Sequence, residues 1–158
     1  MPRTNVCAGC QGIALSKAKF VTVKGILSEE VLMQENVSDL LLQLAGEDYC
    51  YLTTTGRVSG RPHEIEIWFG AKGTSIYLLS GGGDRSDWVK NLLNDQHVTV
   101  RIAKHHFNGV ARLVKDEQEE TSARYMLAEK YQEWEDGRRL SEWARTALVV
   151  GIDLERGD

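Results

Sequence analysis

Two glycine-bearing stretches hold the residues best suited to chemistry. The first is Leu52-Thr53-Thr54-Thr55-Gly56-Arg57-Val58-Ser59-Gly60-Arg61-Pro62. Its turn can present Arg57, Arg61, the Ser59 hydroxyl and the backbone amides around Gly60 to an anion, and a guanidinium suits phosphate through its planar, bidentate fork. The second runs from Ser80-Gly81-Gly82-Gly83 through Asp84-Arg85-Ser86-Asp87-Trp88-Val89-Lys90 to Asn91. It follows an apolar run and opens a helix. Glycines let backbone approach a ligand, while a helix start offers unpaired amides and the positive end of the dipole. Two readings fit this stretch alone: an anion site, or a tight turn in which Asp84 or Ser86 caps the helix. Arg85 and Lys90 place further positive charge beside it.

The elements that must position these residues read mostly as strands. Asp48 to Thr55 and the alternating Arg61-Pro62-His63-Glu64-Ile65-Glu66-Ile67-Trp68-Phe69 form a hairpin, the second strand having one buried face. Gly70 to Thr74 is a turn into the strand Ser75 to Ser80. His97 to Ile102, a basic turn at Lys104-His105-His106, the strand Phe107 to Val114 with Gly109 as a bulge, and a last strand Thr146 to Leu154 complete the set. Helices enter at three places. Asn36 or Ser38 caps one through Ala45 with Val37, Leu40, Leu41 and Leu44 inward; the second follows the glycines to about Leu93; Asp116 caps the third, with Ala123, Met126, Leu127, Tyr131 and Trp134 at helical spacing. About six strands joined by tight turns predict a mainly β, α+β protein: a split antiparallel barrel flanked by helices. Parallel βαβ winding fits poorly, and the dinucleotide Gly-x-Gly-x-x-Gly spacing is absent.

Bulk properties narrow the function. The 158 residues are 42% hydrophobic and 27% charged, the range of one soluble domain. Residues 34–158 are expected to form that domain, with 1–33 as an N-terminal extension and Met33 as an alternative translation start. A net charge of −4 argues against a general nucleic-acid binder, so any anion site is local. No apolar run reaches the length of a spanning helix, and a secretory signal is not evident, which makes the cytoplasm the expected compartment. Cys7-x-x-Cys10 is a lone pair without further ligands at zinc spacing, and no metal is expected; Cys50 reads as a small buried hydrophobe.

With these elements placed, Leu52 to Pro62, the strand ending Ile67-Trp68-Phe69, and Ser80 to Gly83 through Trp88-Val89-Lys90-Asn91-Leu92 jointly resemble the deazaflavin-dependent nitroreductase family of the flavin/deazaflavin oxidoreductases, relatives of pyridoxamine 5'-phosphate oxidase. The likeness covers about Asn36 to Leu154. It implies a split barrel binding coenzyme F420, or alternatively FMN, and an oxidoreductase passing a hydride to a small unsaturated, quinone-like or nitro compound. It also implies that Thr55, Arg57, Ser59, Gly60, Arg61, Ile67, Trp68, Ser80, Gly81, Gly82, Arg85, Ser86, Asp87, Trp88 and Asn91 line the cofactor site. Arg57 and Arg61 would hold phosphate, Trp88 would pack on ring or tail, and Asn91 would hold the loop. Much of the quinone-reducing branch has a proline and an aromatic pair where this chain has Ser86-Asp87-Trp88-Val89. A homodimer is implied too. Membrane-associated members make peripheral contact with the inner membrane compatible, although no basic amphipathic segment requires it. His63, Tyr49 and Tyr51 are candidate proton donors, and no catalytic acid is singled out. The rival of another class is a non-catalytic flavin-, haem- or bilin-binding module, with His105 and His106 as the histidines for haem.

Overall fold

A computed structural model of the chain describes residues 29–156. Most of the expected N-terminal extension, residues 1–28, and with it the Cys7–Cys10 pair, lie outside the described residues. Seven strands are present among the described residues: β1 (Cys50–Thr55), β2 (Pro62–Ile67), β3 (Gly70–Lys72), β4 (Ser75–Ser80), β5 (His97–Ile102), β6 (His105–Leu113) and β7 (Leu148–Arg156). They form one sheet in the order β2-β1-β5-β6-β7-β4-β3, and every pairing is antiparallel. The additional strand is β3, within the segment expected to be a turn; pairing with β4 makes three residues extended.

Connectivity shows how far the sheet curls. Strands β2 and β3 are its two opposite edges, yet only Trp68 and Phe69 join them. Three Cα steps reach about 11 Å, whereas seven flat strands would set their edges about 29 Å apart. The edges must therefore meet at Trp68–Phe69, giving the split barrel. Its interior holds Cys50, Leu52, Phe69, Ile76, Leu78, Val100, Ile102 and Phe107.

Among the described residues four α-helices flank the sheet. Helix α1 (Glu29–Leu44) sends Val37, Leu41 and Leu44 into the barrel core, with Leu40 packed at its margin. The expected caps Asn36 and Ser38 lie inside this helix, as does Met33, because helical backbone continues through those polar residues. Helix α2 (Asp87–Asn94) packs on β1 and β6. Helix α3 (Glu117–Gln132) is capped by Asp116, whose carboxylate accepts from the Glu119 amide at 2.8 Å. It buries Ala123 and Leu127 against Tyr77, Leu79 and Val149 in a second core. Trp134 lies beyond α3, since Glu133 turns left-handed (φ 51°) and ends it. A short helix α4 (Glu142–Thr146) was not foreseen; Ser141 caps it through the Ala144 amide at 3.1 Å, and its Arg145–Thr146 end delays β7 to Leu148.

Two local expectations are also corrected. Gly109 is no bulge: β6 stays in continuous register with both β5 and β7. It is glycine for space, as a Cβ there would lie 2.6 Å from Ile152 Cγ2. His105 and His106 belong to β6 rather than a turn, which is made instead by Ala103 and Lys104, Ala103 at φ 51°.

Candidate functional site

An open cavity of about 430 Å³ lies between the β1–β2 turn and helix α2. Its walls are the consequence of strand alternation. In the β1–β2 register, Leu52 faces Ile65 and Thr54 faces His63 on the inner side, while Tyr51 faces Glu66 and Thr53 faces Glu64 on the outer side. Thr54, His63 and Ile65 thus face the cavity. Glu64 also borders it, but its carboxylate is on the outer face, 3.4 Å from Arg101 Nη2.

The turn is closed on itself. The Gly56 amide donates to the Arg61 carbonyl at 2.8 Å and the Gly60 amide to the Gly56 carbonyl at 2.8 Å. The Arg61 amide donates to Ser59 Oγ at 3.2 Å, and that hydroxyl is also 3.1 Å from His63 Nε2. Gly60 takes φ 67°, the left-handed region that favours glycine. Three of the backbone amides expected to meet an anion, those of Gly56, Gly60 and Arg61, are therefore spent within the turn, and side chains carry more of that work.

Asn91 ties the turn to α2. It is buried, 5% exposed; its Oδ1 accepts from the Arg57 amide at 3.2 Å and Arg57 Nη1 at 2.9 Å, and its Nδ2 donates to Thr54 Oγ1 at 3.2 Å. Arg57 Nη2 reaches Asp87 Oδ1 at 2.9 Å and Nη1 reaches the Asp87 carbonyl at 3.4 Å. Trp88 borders the cavity and packs its remaining surface on the barrel core.

The glycine stretch supports this wall from behind. Gly83 takes φ 62° and starts a single 3-10 turn through Arg85. Ser86 occupies the N-cap position of α2, but its hydroxyl is 2.9 Å from Ser80 Oγ and caps nothing, and Ser80 donates to the Gly83 carbonyl at 2.9 Å. Neither Asp84 nor Ser86 therefore caps by side chain. A Cβ at Gly82 would lie 2.5 Å from Ser86 Oγ, so glycine there lets the serine pair form.

Of the residues expected in the site, Arg57, Ser59, Asp87, Trp88 and Asn91 come together around the cavity. Gly60 and Arg61 shape its turn, and Ser80, Gly82, Ser86 and the exposed Arg85 form the adjoining loop. Thr55 does not join them; it ends β1 half-buried, outside the cavity lining. Ile67 packs into the barrel core. Trp68 stacks on Tyr131 at 4.5 Å between ring centroids, 3° from parallel, with Trp143 edge-on at 5.5 Å. Gly81 is beside that same Trp143, 3.4 Å from where its Cβ would be. A second, aromatic cluster thus gathers Trp68 and Gly81 with Tyr131, expected on the inner face of α3, and Trp143, to which the sequence assigned no role.

Thr54 and Ile65 were missed as cavity residues, though the alternation along each strand was a signal for both. Among the candidate proton donors, His63 borders the cavity. Tyr51 is directed to the outer face, where its hydroxyl donates to Glu66 at 2.8 Å. His105 and His106 are consecutive strand residues and point to opposite faces, which opposes joint haem ligation. Cys50 is fully buried, and burial pushes its thiol up to about 12.

Comparison with solved structures bears out the fold. A candidate 5-nitroimidazole antibiotic resistance protein from Bacteroides thetaiotaomicron aligns with TM-score 0.60 and 16% identity, over 78% of this chain and 80% of its own. A candidate pyridoxamine 5'-phosphate oxidase from Listeria innocua gives 0.58 and 21%, over 77% and 94%. An F420-H2 dependent reductase gives 0.53 and 16%, over 66% and 93%. No curated protein matches the sequence. The sequence does match a family profile over residues 27–150, most of its length and some nine residues upstream of the expected likeness. The chain belongs to the F420H(2)-dependent quinone reductase family.

Proposed function

We propose that the cavity between the β1–β2 turn and α2 receives the phosphate-bearing part of F420, and that the aromatic cluster at Trp68 marks the end where a small quinone-like, unsaturated or nitro acceptor is reduced. That the enzyme is an F420-dependent oxidoreductase follows from its family. The observation that carries the placement is Arg57: Asn91 and Asp87 orient its guanidinium at the cavity wall, and these bonds leave Nε and one Nη2 hydrogen to spare. Arg61 and Arg85 are exposed and make no ion pair among the described residues, so further cations are available for phosphate. The residues fit an anionic, partly apolar cofactor.

When bound, reduced F420 supplies the hydride. The chain's own residues bind and orient. Arg57 holds an anionic oxygen, Trp88 offers an apolar wall, and Asn91 fixes the distance between turn and helix. Trp68, 37% exposed and braced by Tyr131, offers a flat surface on which a planar acceptor can stack. His63, hydrogen-bonded to Ser59, is the titratable imidazole of the cavity. FMN, with its shorter phosphate tail, would use the same arginines.

The test is titration of the apo-protein with F420 and with FMN, followed by fluorescence, and repeated on Arg57→Ala and Arg61→Ala. We expect saturable F420 binding that Arg57→Ala weakens at least about tenfold, as expected for loss of a charge-assisted hydrogen bond. Tight FMN binding without F420 binding would overturn the cofactor assignment. We further propose a cytoplasmic homodimer, supported by the outer edge of β2, which pairs with no strand among the described residues. Light scattering of the purified protein checks it, and a monomeric mass would remove the dimer from the proposal.

A further inference from the structure

We propose that Asp87 is a built-in competitor anion at the cofactor site: its carboxylate occupies the Arg57 guanidinium and must share or yield it when a phosphate binds, so that Asp87 holds cofactor affinity below what the arginine alone would give. The inference rests on the placement of F420 phosphate at Arg57. Three observations carry it.

The first is charge. Two charged side chains, Arg57 and Asp87, point at the cavity, and they are paired at 2.9 Å, so they cancel. Glu64 does not alter that balance, because its carboxylate pairs with Arg101 on the outer face. A pocket for a phosphate-bearing ligand would gain from an unopposed cation, yet this one carries its own anion. The second is that Arg57 has a brace besides the Asp87 carboxylate. Asn91, buried and bonded to both the Arg57 amide and Nη1, orients the arginine without it. The Asp87 side chain is 82% exposed, against 32% for Arg57, and is free to swing into solvent. The third is position. Asp87 is the first residue of α2, where a carboxylate is favoured by the helix dipole, and the cap hydroxyl of Ser86 is turned away to Ser80. The carboxylate thus stands where an incoming anion would be stabilised by both the guanidinium and the helix end.

Exposed ion pairs are weak, so the competition should be modest and salt-sensitive. Asp87→Asn keeps the size and the Oδ1 acceptor while removing the charge, and is titrated with F420 in the full chain. Tightening by about three- to fivefold is expected, larger at low ionic strength, with FMN tightening in the same direction. Asp84→Asn is the control: it makes the same change in net charge three residues away, on an exposed side chain that makes no ion pair among the described residues, and should leave affinity unchanged. Asp87→Ser, acceptable at a helix start, serves if Asp87→Asn fails to fold, and thermal melts monitor both. Equal or weaker F420 binding by the folded Asp87 variants, or equal tightening by Asp84→Asn, would overturn the inference. Arg57→Ala separates this from the underlying placement. Unchanged F420 affinity in Arg57→Ala removes the phosphate from Arg57 altogether, whereas loss in Arg57→Ala without gain in Asp87→Asn removes the competitor role alone.

Discussion

Asn91 is the residue on which the site's geometry turns. One buried amide group joins a strand (Thr54), a turn (Arg57) and a helix, and it uses both ends to do so. Asn91→Ala would leave the buried Thr54 hydroxyl and the part-buried Arg57 amide without their partner. A destabilisation of about 1–3 kcal/mol is expected from such orphaned groups, read as a lower urea midpoint at unchanged slope, together with weaker F420 binding because Arg57 loses its brace. A fully stable variant with normal binding would show that Asp87 suffices to hold the arginine. A loop-holding role for Asn91 was implied by the family resemblance alone; its bonds to Thr54 and Arg57 come from the fold. The inward direction of His63 likewise depends on the register with Thr54 rather than on the pattern of β2 alone.

Helix α3 illustrates what an element contributes beyond its own stability. Its Tyr131 hydroxyl accepts from the Phe69 amide at 3.0 Å and is within 2.9 Å of the Asp48 carbonyl, while Lys130 Nζ donates to the carbonyls of Glu47 at 2.7 Å and Phe69 at 3.1 Å. Burial pushes the tyrosine up to about 12 and depresses the lysine. These contacts clamp the short segment that joins the two edges of the sheet, and they brace Trp68 by stacking. Tyr131→Phe should keep the stacking, cost about 1 kcal/mol in stability, and loosen Trp68, seen as faster acrylamide quenching of tryptophan fluorescence. Strand β6 carries a complementary prediction. Gly109→Ala places a methyl group against Ile152 and Leu154 and should destabilise by about 1–3 kcal/mol through overpacking. Periodicity made α3 and most strands legible. It failed at Trp134, where the left-handed Glu133 stops a helix whose apolar spacing continues, and at β3, where three residues are too few for a pattern.

At the scale of the whole molecule, the outer face of β4, β6 and β7 is joined to α3 by charge. Arg112 bonds Glu119 at 2.6 Å and Asp153 at 3.0 Å, with Tyr77 donating to Glu119 at 2.7 Å and Ser75 to Asp153 at 2.6 Å. Bonds from Arg112 and then Tyr77 hold the Glu119 carboxyl below its ordinary range. For Asp153, partial burial pulls upward, but the bonds from Arg112 and Ser75 outweigh it and the carboxyl is also depressed. Groups depressed in the folded state contribute stability at neutral pH and lose it as pH falls below about 4, where the unfolded chain takes up protons first. Acid should therefore unfold the protein partly through this network. Glu119→Gln with Asp153→Asn is expected to be less stable at pH 7 and to show a flatter stability curve between pH 5 and 2, measured by urea titration at each pH. An unchanged slope would show the network to be bystander charge. Among the described residues no helix is long and apolar enough to cross a membrane.

The sequence by itself determined the local elements and the two motifs. Strand alternation, the Asp116 cap and the glycine punctuation are properties of neighbours along the chain, and the order Leu52 to Pro62 followed by Ser80 to Leu92 carried the family. Tertiary structure decided what those motifs face. That Arg57 meets Asp87 thirty residues away, that the turn spends three of its amides internally, and that Trp68 leaves the cavity for Tyr131 and Trp143 all depend on how tightly the sheet curls and on register between strands. Neither quantity is encoded within any single stretch. They arise from packing the barrel core and from closing its edges through Trp68 and Phe69.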